Sequence, residues 1–359
     1  MADPIRVGFL GIEHIHADFW QEVFQESPHT ELVGAWAITP GLTASKGAEF
    51  GYKSWEDRDA LLDACDAVVV CAPTMHHADM VELAARAGKK ILLEKPMAAT
   101  TEHLDRIGAV LEETGAWLMQ AYPKRFDPIN EEIRQILDSG DLGRISLMRI
   151  RHGHAGASNP VFGGTWFTDP DLAGGGTMMD EGSHAADFVR RTFGDPEEVS
   201  CFMSNSAHGF PVEDTGIAIY KWSNGLVGEI VSCFQFHGGE NSIEVYGTHG
   251  ALIVSGVDLG SRDLTESGFL KTFVVPEDSN RGGELVLHDE KKWTVSDTVP
   301  QFKKDTPTFH KNVASAFVDA MVTGSPPPCT YLDGRRASEM IIAAYESAKT
   351  GRAVKIEYG

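Results

Sequence analysis

Asp66-Ala67-Val68-Val69-Val70-Cys71-Ala72 contains no alternation of polar and apolar positions. A strand with one face in water would alternate. This run therefore reads as a strand covered on both faces, the condition of a parallel sheet flanked by helices. The flanking segments agree. Upstream, Ile5 to Leu10 is another buried strand, His14 to Gln25 a helix with Ile15, Phe19 and Val23 on one stripe, and Leu32 to Ile38 a further strand. Downstream, His77 to Ala87 reads as a helix, Lys90 to Leu93 as a strand, Thr101 to Thr114 as a helix and Ala116 to Ala121 as a strand. Strand–helix alternation of this kind predicts an α/β, doubly wound parallel sheet.

The pattern changes after Arg125. Ile129 to Leu137 is a helix, Ile145 to Arg151 opens a strand, and the Gly- and Asp-rich stretch from Gly153 to Gly176 reads as loop. A helix follows from Met178 to Thr192. Between Val199 and Val275 lie several period-two segments, punctuated by Ser223-Asn224-Gly225 and Gly247-Thr248-His249-Gly250. Turn signals of this type predict an open, mainly antiparallel sheet. Helices near Thr308 to Val322 and Arg335 to Lys349 close the chain. Residues 1–123 are thus expected to form the first domain and residues 124–359 a second, α+β domain.

Length and composition fit this division. At ~150 residues per domain, 359 residues make about two domains, and 42% hydrophobic with 23% charged residues is ordinary for a globular protein. The formal charge of -21 argues against nucleic acid or an anionic membrane surface as partner, because both need a cationic face. No apolar run approaches the ~20 residues that span a bilayer, and Met1 to Arg6 carries no basic-then-apolar signal segment. The scattered cysteines Cys65, Cys71, Cys201, Cys233 and Cys329 read as reduced thiols, so a cytoplasmic location is expected.

The first strand runs into Gly11-Ile12-Glu13-His14-Ile15-His16, where a dinucleotide-binding turn would carry Gly-x-Gly-x-x-Gly. Only the first glycine is present. A carboxylate at ~4 Å from a pyrophosphate would cost about 4 kcal/mol at an effective dielectric of 20. Glu13 must therefore point away, be paired, or mark an unusual pose, and replacing it by glycine is expected to tighten dinucleotide binding. The helix N-terminus behind the turn still favours an anion, with His14 or His16 as an added donor. The end of the second strand offers Ala37 in place of the acidic residue that takes the ribose of NAD, and no arginine for a 2′-phosphate, so NAD and NADP both remain open.

Leu92-Leu93-Glu94-Lys95-Pro96, Ala72-Pro73-Thr74-Met75-His76-His77, Arg125-Phe126-Asp127-Pro128 and Gly140-Asp141-Leu142-Gly143 form a distinctive series. It continues through Gly174-Gly175-Gly176-Thr177-Met178-Met179-Asp180-Glu181-Gly182-Ser183-His184, Val212-Glu213-Asp214-Thr215, Glu244-Val245-Tyr246-Gly247-Thr248 and Leu332-Asp333-Gly334-Arg335. With these motifs the chain resembles the glucose–fructose oxidoreductase / inositol dehydrogenase / rhizopine-catabolism (Gfo/Idh/MocA) superfamily over nearly its whole length. The Gly11 turn and Ala37 are the departures. The resemblance implies a Rossmann-like first domain, NAD or NADP as cofactor, a sugar, sugar derivative or cyclitol as substrate, and a homodimer or homotetramer.

Carried onto this sequence, the resemblance makes Lys95, Asp180 and His184 the catalytic trio, with the Lys95–Pro96 bond tending to be cis. Four residues apart at a helix start, Asp180 and His184 project from one face. A neutral imidazole suits a base for a hydroxyl proton, and a lysine can hydrogen-bond a developing alkoxide. Gly11, Ile12, Glu13, His14, Ala37, Pro73, Thr74, His77, Glu94 and Lys95 are the expected cofactor-binding residues. Arg125, His152, His154, Trp166, Phe167 and Asp169, with Asp180 and His184, are the expected substrate contacts. An aromatic platform suits the apolar face of a pyranose.

Two other readings compete. A non-catalytic dinucleotide or ligand sensor on the same scaffold accounts for the altered turn and leaves Lys95, Asp180 and His184 without a task. Alternatively, His152-Gly153-His154 with Asp180 and His184 form a metal site of a hydrolase or lyase, since histidines at i and i+2 on a strand point the same way. The preferred reading carries no metal.

Overall fold

The computed structural model describes residues 3–158, 162–237, 241–257, 268–275, 293–297 and 308–359. Part of the expected sheet region, residues 258–267, lies outside the described residues. The first 120 residues run β1 (Ile5–Ile12), α1 (His16–Glu26), β2 (Thr30–Trp36), α2 (Leu42–Phe50), α3 (Arg58–Ala64), β3 (Ala67–Cys71), α4 (His77–Arg86), β4 (Lys90–Leu93), α5 (Thr101–Thr114) and β5 (Leu118–Gln120). The strands pair in parallel in the order β2-β1-β3-β4-β5. All five residues of β3 are buried, as its unbroken apolar run requires. The helices α2 and α3 lack a sequence signal for a physical reason. The first buries only Thr43 and Gly47, and the second only Leu61 and Leu62, so neither shows an apolar stripe.

The remaining elements are α6 (Pro128–Asp138), β6 (Ile145–Gly153), α7 (Pro170–Ala173), α8 (Thr177–Phe193), β7 (Glu198–Ser204), β8 (Thr215–Lys221), β9 (Val227–Cys233), β10 (Asn241–Gly247), β11 (Gly250–Val257), β12 (Phe269–Val274), β13 (Thr294–Val295), α9 (Thr308–Thr323), α10 (Tyr331–Thr350) and β14 (Val354–Lys355). The strands form one sheet, β13-β12-β11-β10-β6-β9-β8-β7-β14. Every pair is antiparallel except β6 with β9. Met178 and Val189 of α8 and Met340 and Ile341 of α10 join Ile150, Ala218 and Ile230 of the sheet in one buried cluster. The opposite face exposes Leu147, Phe202, Ile217, Ile219 and Val227.

The chain returns to the first sheet near its end. Val313, Ala314, Phe317 and Val318 of α9 pack in the cluster that contains Trp20 and Phe24 of α1, and the Trp20 indole donates to the carbonyl of His310 at 3.0 Å. Truncating the fully buried Phe317 to alanine would cost roughly 3–5 kcal/mol. The five cysteines are free and buried. Among the described residues no helix is long and apolar enough to cross a membrane.

Candidate active site between the two sheets

The order β2-β1-β3 reverses direction at β1, and ligands of open parallel sheets bind at the carboxyl ends of the strands at such a point. Here the chain turns at Gly11, whose φ is 97°. A Cβ at this position would stand 2.7 Å from the backbone nitrogen of Ala72, so only glycine fits between the two strand ends. Ile12 is buried in the core, and Ala37 packs at its edge. The Glu13 carboxylate is paired with backbone donors. It accepts the N–H of Ile12 at 3.0 Å and that of Thr39 at 2.9 Å.

The turn's histidines point into the protein. His14 and His16 are buried; His16 Nδ1 lies 3.0 Å from Glu94 Oε2, and His14 Nε2 lies 3.9 Å from Glu94 Oε1. Burial pushes the Glu94 carboxyl up to about 8, against the opposing pull of Lys95, and pushes His16 down to about 3. After β3, Pro73 and Thr74 begin a single helical turn. The ring nitrogens of the fully buried His77 lie 2.9 Å from the carbonyl oxygen of Pro96 and 3.0 Å from that of Ala72. His77 thus ties the turn after β3 to the segment after β4. The Lys95–Pro96 bond is cis, as the resemblance implied.

Lys95 reaches across to the second domain, where its ammonium pairs with Asp180 in the first turn of α8. Its pKa is raised: burial lowers it, and the carboxylates of Asp180, Glu181 and Glu94 outweigh burial, so it stays charged. The start of α8 is held by Glu213, which accepts from Gly176 N–H and Met178 N–H at 2.9 Å each and from the Tyr345 hydroxyl at 2.6 Å. The cap satisfies donors that a helix N-terminus leaves open.

One turn along α8, His184 is buried, with its ring 5.2 Å from that of His152 and 6.4 Å from that of Tyr122. Burial first, then Lys95 and His152, push its pKa well below the usual imidazole value. His152 Nε2, on β6, lies 3.1 Å and His154 Nε2, just past the strand, 3.5 Å from the two oxygens of Glu181. His154 Nε2 also lies 3.9 Å from Asp180. A pocket beside this group is lined by Lys124, His152, His184, Asn241 and Ser242. Lys95, Asp180, His152, His154 and His184 are therefore brought together from both domains.

Other expected contacts are engaged elsewhere. The Arg125 guanidinium, expected at the substrate, donates to Asp187 at 2.6 to 3.2 Å and lies 3.1 Å from Asp333. It is a buried ion-pair centre that joins the start of the second domain to α8 and α10. Asp169 caps α7 by accepting from Asp171 N–H. The Trp166 indole donates to the Glu13 carbonyl at 3.1 Å, and Phe167 stacks on Trp166 and edges onto His14. These aromatics cover the glycine turn. Sequence reasoning missed Glu181 and Asn241; the Asn241 side chain accepts the Gly153 N–H at 2.7 Å beside His152.

The family follows from comparison with known proteins. The profile of an oxidoreductase family with NAD-binding Rossmann fold matches residues 5–122, and that of the Gfo/Idh/MocA C-terminal domain matches residues 130–253. An inositol 2-dehydrogenase of Rhizobium meliloti is 31% identical over 261 residues, covering 69% of this chain and 74% of that protein. The chain belongs to the Gfo/Idh/MocA oxidoreductase family. A myo-inositol 2-dehydrogenase of Thermotoga maritima is 25% identical over 313 residues, 85% of this chain and 84% of that one. Among solved structures, the WlbA dehydrogenase from Bordetella pertussis, in complex with NADH and UDP-GlcNAcA, shares the fold with a TM-score of 0.83 at 21% identity, covering all of both chains.

The first sheet is thus the family's NAD-binding Rossmann fold, and its residues fit a dinucleotide. Gly11 lets the ends of β1 and β3 close up beside the turn, the Lys95 ammonium stands after the neighbouring β4, and the Glu13 carboxylate is oriented by two N–H donors.

Proposed function

We propose that this Gfo/Idh/MocA chain is an NAD(P)-dependent oxidoreductase acting on a hydroxyl or carbonyl of a sugar, sugar derivative or cyclitol, through Lys95, Asp180 and His184. The observation that carries the reading is the Lys95–Asp180 pair, which joins the cofactor-binding sheet to the helix bearing His184. The dinucleotide, when bound, supplies the hydride acceptor or donor. Pro73, Thr74 and the Gly11 turn would hold it. His184, kept neutral by burial, takes the proton of the substrate hydroxyl. Lys95 hydrogen-bonds that oxygen as negative charge grows on it, an interaction stronger in the transition state than in the ground state. Asp180 holds the ammonium in place and accepts from a neighbouring hydroxyl. In the reverse direction His184 returns the proton. His152 and His154 line the substrate side.

The relatives named as inositol dehydrogenases support a polyol substrate. The exposed apolar residues Phe202, Ile217 and Val227 on the free face of the second sheet support a homodimer or homotetramer, and the buried free cysteines support a cytoplasmic location. The test is a panel of inositols, aldoses and anhydrosugars with NAD+ and NADP+, followed by the absorbance of the reduced nicotinamide. Turnover of one of them is expected. Cofactor binding without turnover in either direction would favour a sensor.

A second reading, metal-dependent chemistry, is favoured by one observation. His152, Glu181 and His184 offer ligand atoms within 4.8 Å of one another, and among the described residues the buried His184 Nδ1 has no hydrogen-bond partner. Metal analysis of the dialysed protein decides. A stoichiometric ion lost on His152→Ala supports this reading, and its absence supports the first.

A further inference from the structure

Glu13 departs furthest from a glycine turn, and its carboxylate has a definite place. Oε2 accepts the Ile12 N–H, and Oε1 accepts the Thr39 N–H, 26 positions away. The side chain therefore bridges the end of β1 to the segment that follows β2. We infer that Glu13 and the Thr39 N–H form the subsite for the adenosine ribose diol, so that the chain selects NAD over NADP. This inference rests on the dinucleotide reading above.

The end of β2 is where an open dinucleotide fold recognises the ribose, with an acidic side chain for the free diol or an arginine for a 2′-phosphate. Ala37 offers neither. Glu13 brings a carboxylate to the same place from the preceding strand. Each of its oxygens accepts one N–H in the structure, and a carboxylate oxygen has two acceptor sites. One site per oxygen remains for a ribose hydroxyl, and hydrogen bonds to an ionised acceptor are the strong kind. A 2′-phosphate would meet that charge directly. Ala37-Ile38-Thr39-Pro40 contains no cation to offset it, and Lys46 of α2 is paired with Asp18. The sign expected for Glu13 from the sequence is thereby reversed, because the carboxylate faces hydroxyls rather than the pyrophosphate.

The test titrates the full chain with NADH and with NADPH by nicotinamide fluorescence. The wild type is expected to bind NADH at least about tenfold more tightly than NADPH. Glu13→Gln removes the charge and turns one of the two accepting oxygens into a donor, so that it gives up one backbone bond as well, and is expected to narrow that ratio by about tenfold. The double variant Glu13→Gln with Ala37→Asp returns an acid to the end of β2 and should restore the preference. A wild type that prefers NADPH overturns the inference with no variant needed. So does an unchanged ratio in Glu13→Gln whose circular dichroism matches the wild type. A wild type that binds neither cofactor overturns the dinucleotide reading itself, whereas saturable binding without discrimination overturns only this subsite.

Discussion

The ammonium of Lys95 and the carboxylate of Asp180 form an ion pair across the junction of the two domains, 85 positions apart in sequence. One comes from the segment after β4 and the other from the first turn of α8. Neither domain alone contains the proposed catalytic set, so packing of the two is itself part of the candidate site. The pair is largely buried, with 2% of the lysine and 13% of the aspartate side chain exposed. Removing one partner would leave a buried charge uncompensated.

Lys95→Met tests the catalytic role, and because Asp180 loses its partner it is also expected to lower the unfolding free energy. It removes the donor to the developing alkoxide and keeps an unbranched apolar stem. Turnover of whichever polyol is found should fall by about a hundredfold or more, with the fold unchanged by circular dichroism. Unchanged turnover in a folded variant would contradict the catalytic assignment.

Glu213→Gln tests the scaffold beneath the site. Both oxygens of Glu213 accept hydrogen bonds from the backbone at the start of α8, and one also accepts from Tyr345. An amide turns one acceptor into a donor and leaves a buried N–H facing it. A loss of roughly 1–3 kcal/mol is expected in urea unfolding, with reduced kcat because this helix carries Asp180 and His184. Tyr345→Phe should be milder. Equal stability of Glu213→Gln and the wild type would count against this account of the cap.

Acid stability should depend on Asp333. Burial raises the pKa of its carboxyl, but Arg125, the Thr330 N–H and Arg190 outweigh burial and hold it well below the usual carboxylate range. A depressed folded-state pKa stabilises the ionised form. The contribution is full above the unfolded value of about 4 and is lost as pH falls through the folded value. The gap in thermal midpoint between wild type and Asp333→Asn should be widest at neutral pH and should narrow below about pH 4. A constant gap across that range would show that the ion pairs do not set it.

The parallel sheet was legible because β3 is buried along its whole length and leaves an unbroken apolar run. Lys95, Asp180 and His184, proposed as the catalytic residues, could be singled out because they stand in local motifs of high specificity. What escaped depends on partners distant in sequence. Arg125 reads as a polar residue free to meet a sugar until Asp187 and Asp333 are placed beside it. Glu181 follows Asp180 on α8 and should point elsewhere at about 100° per residue, yet His152 of β6 and His154 just beyond it meet it there. For Glu13, the sequence conveys the charge and omits the Thr39 N–H that directs it.

The most direct test of the central claim is a fluorescence titration of the purified chain with NADH and NADPH. Saturable binding of at least one, at one equivalent per chain, is the expected result. No saturable binding of either by a folded chain would contradict the assignment as a dinucleotide-dependent oxidoreductase.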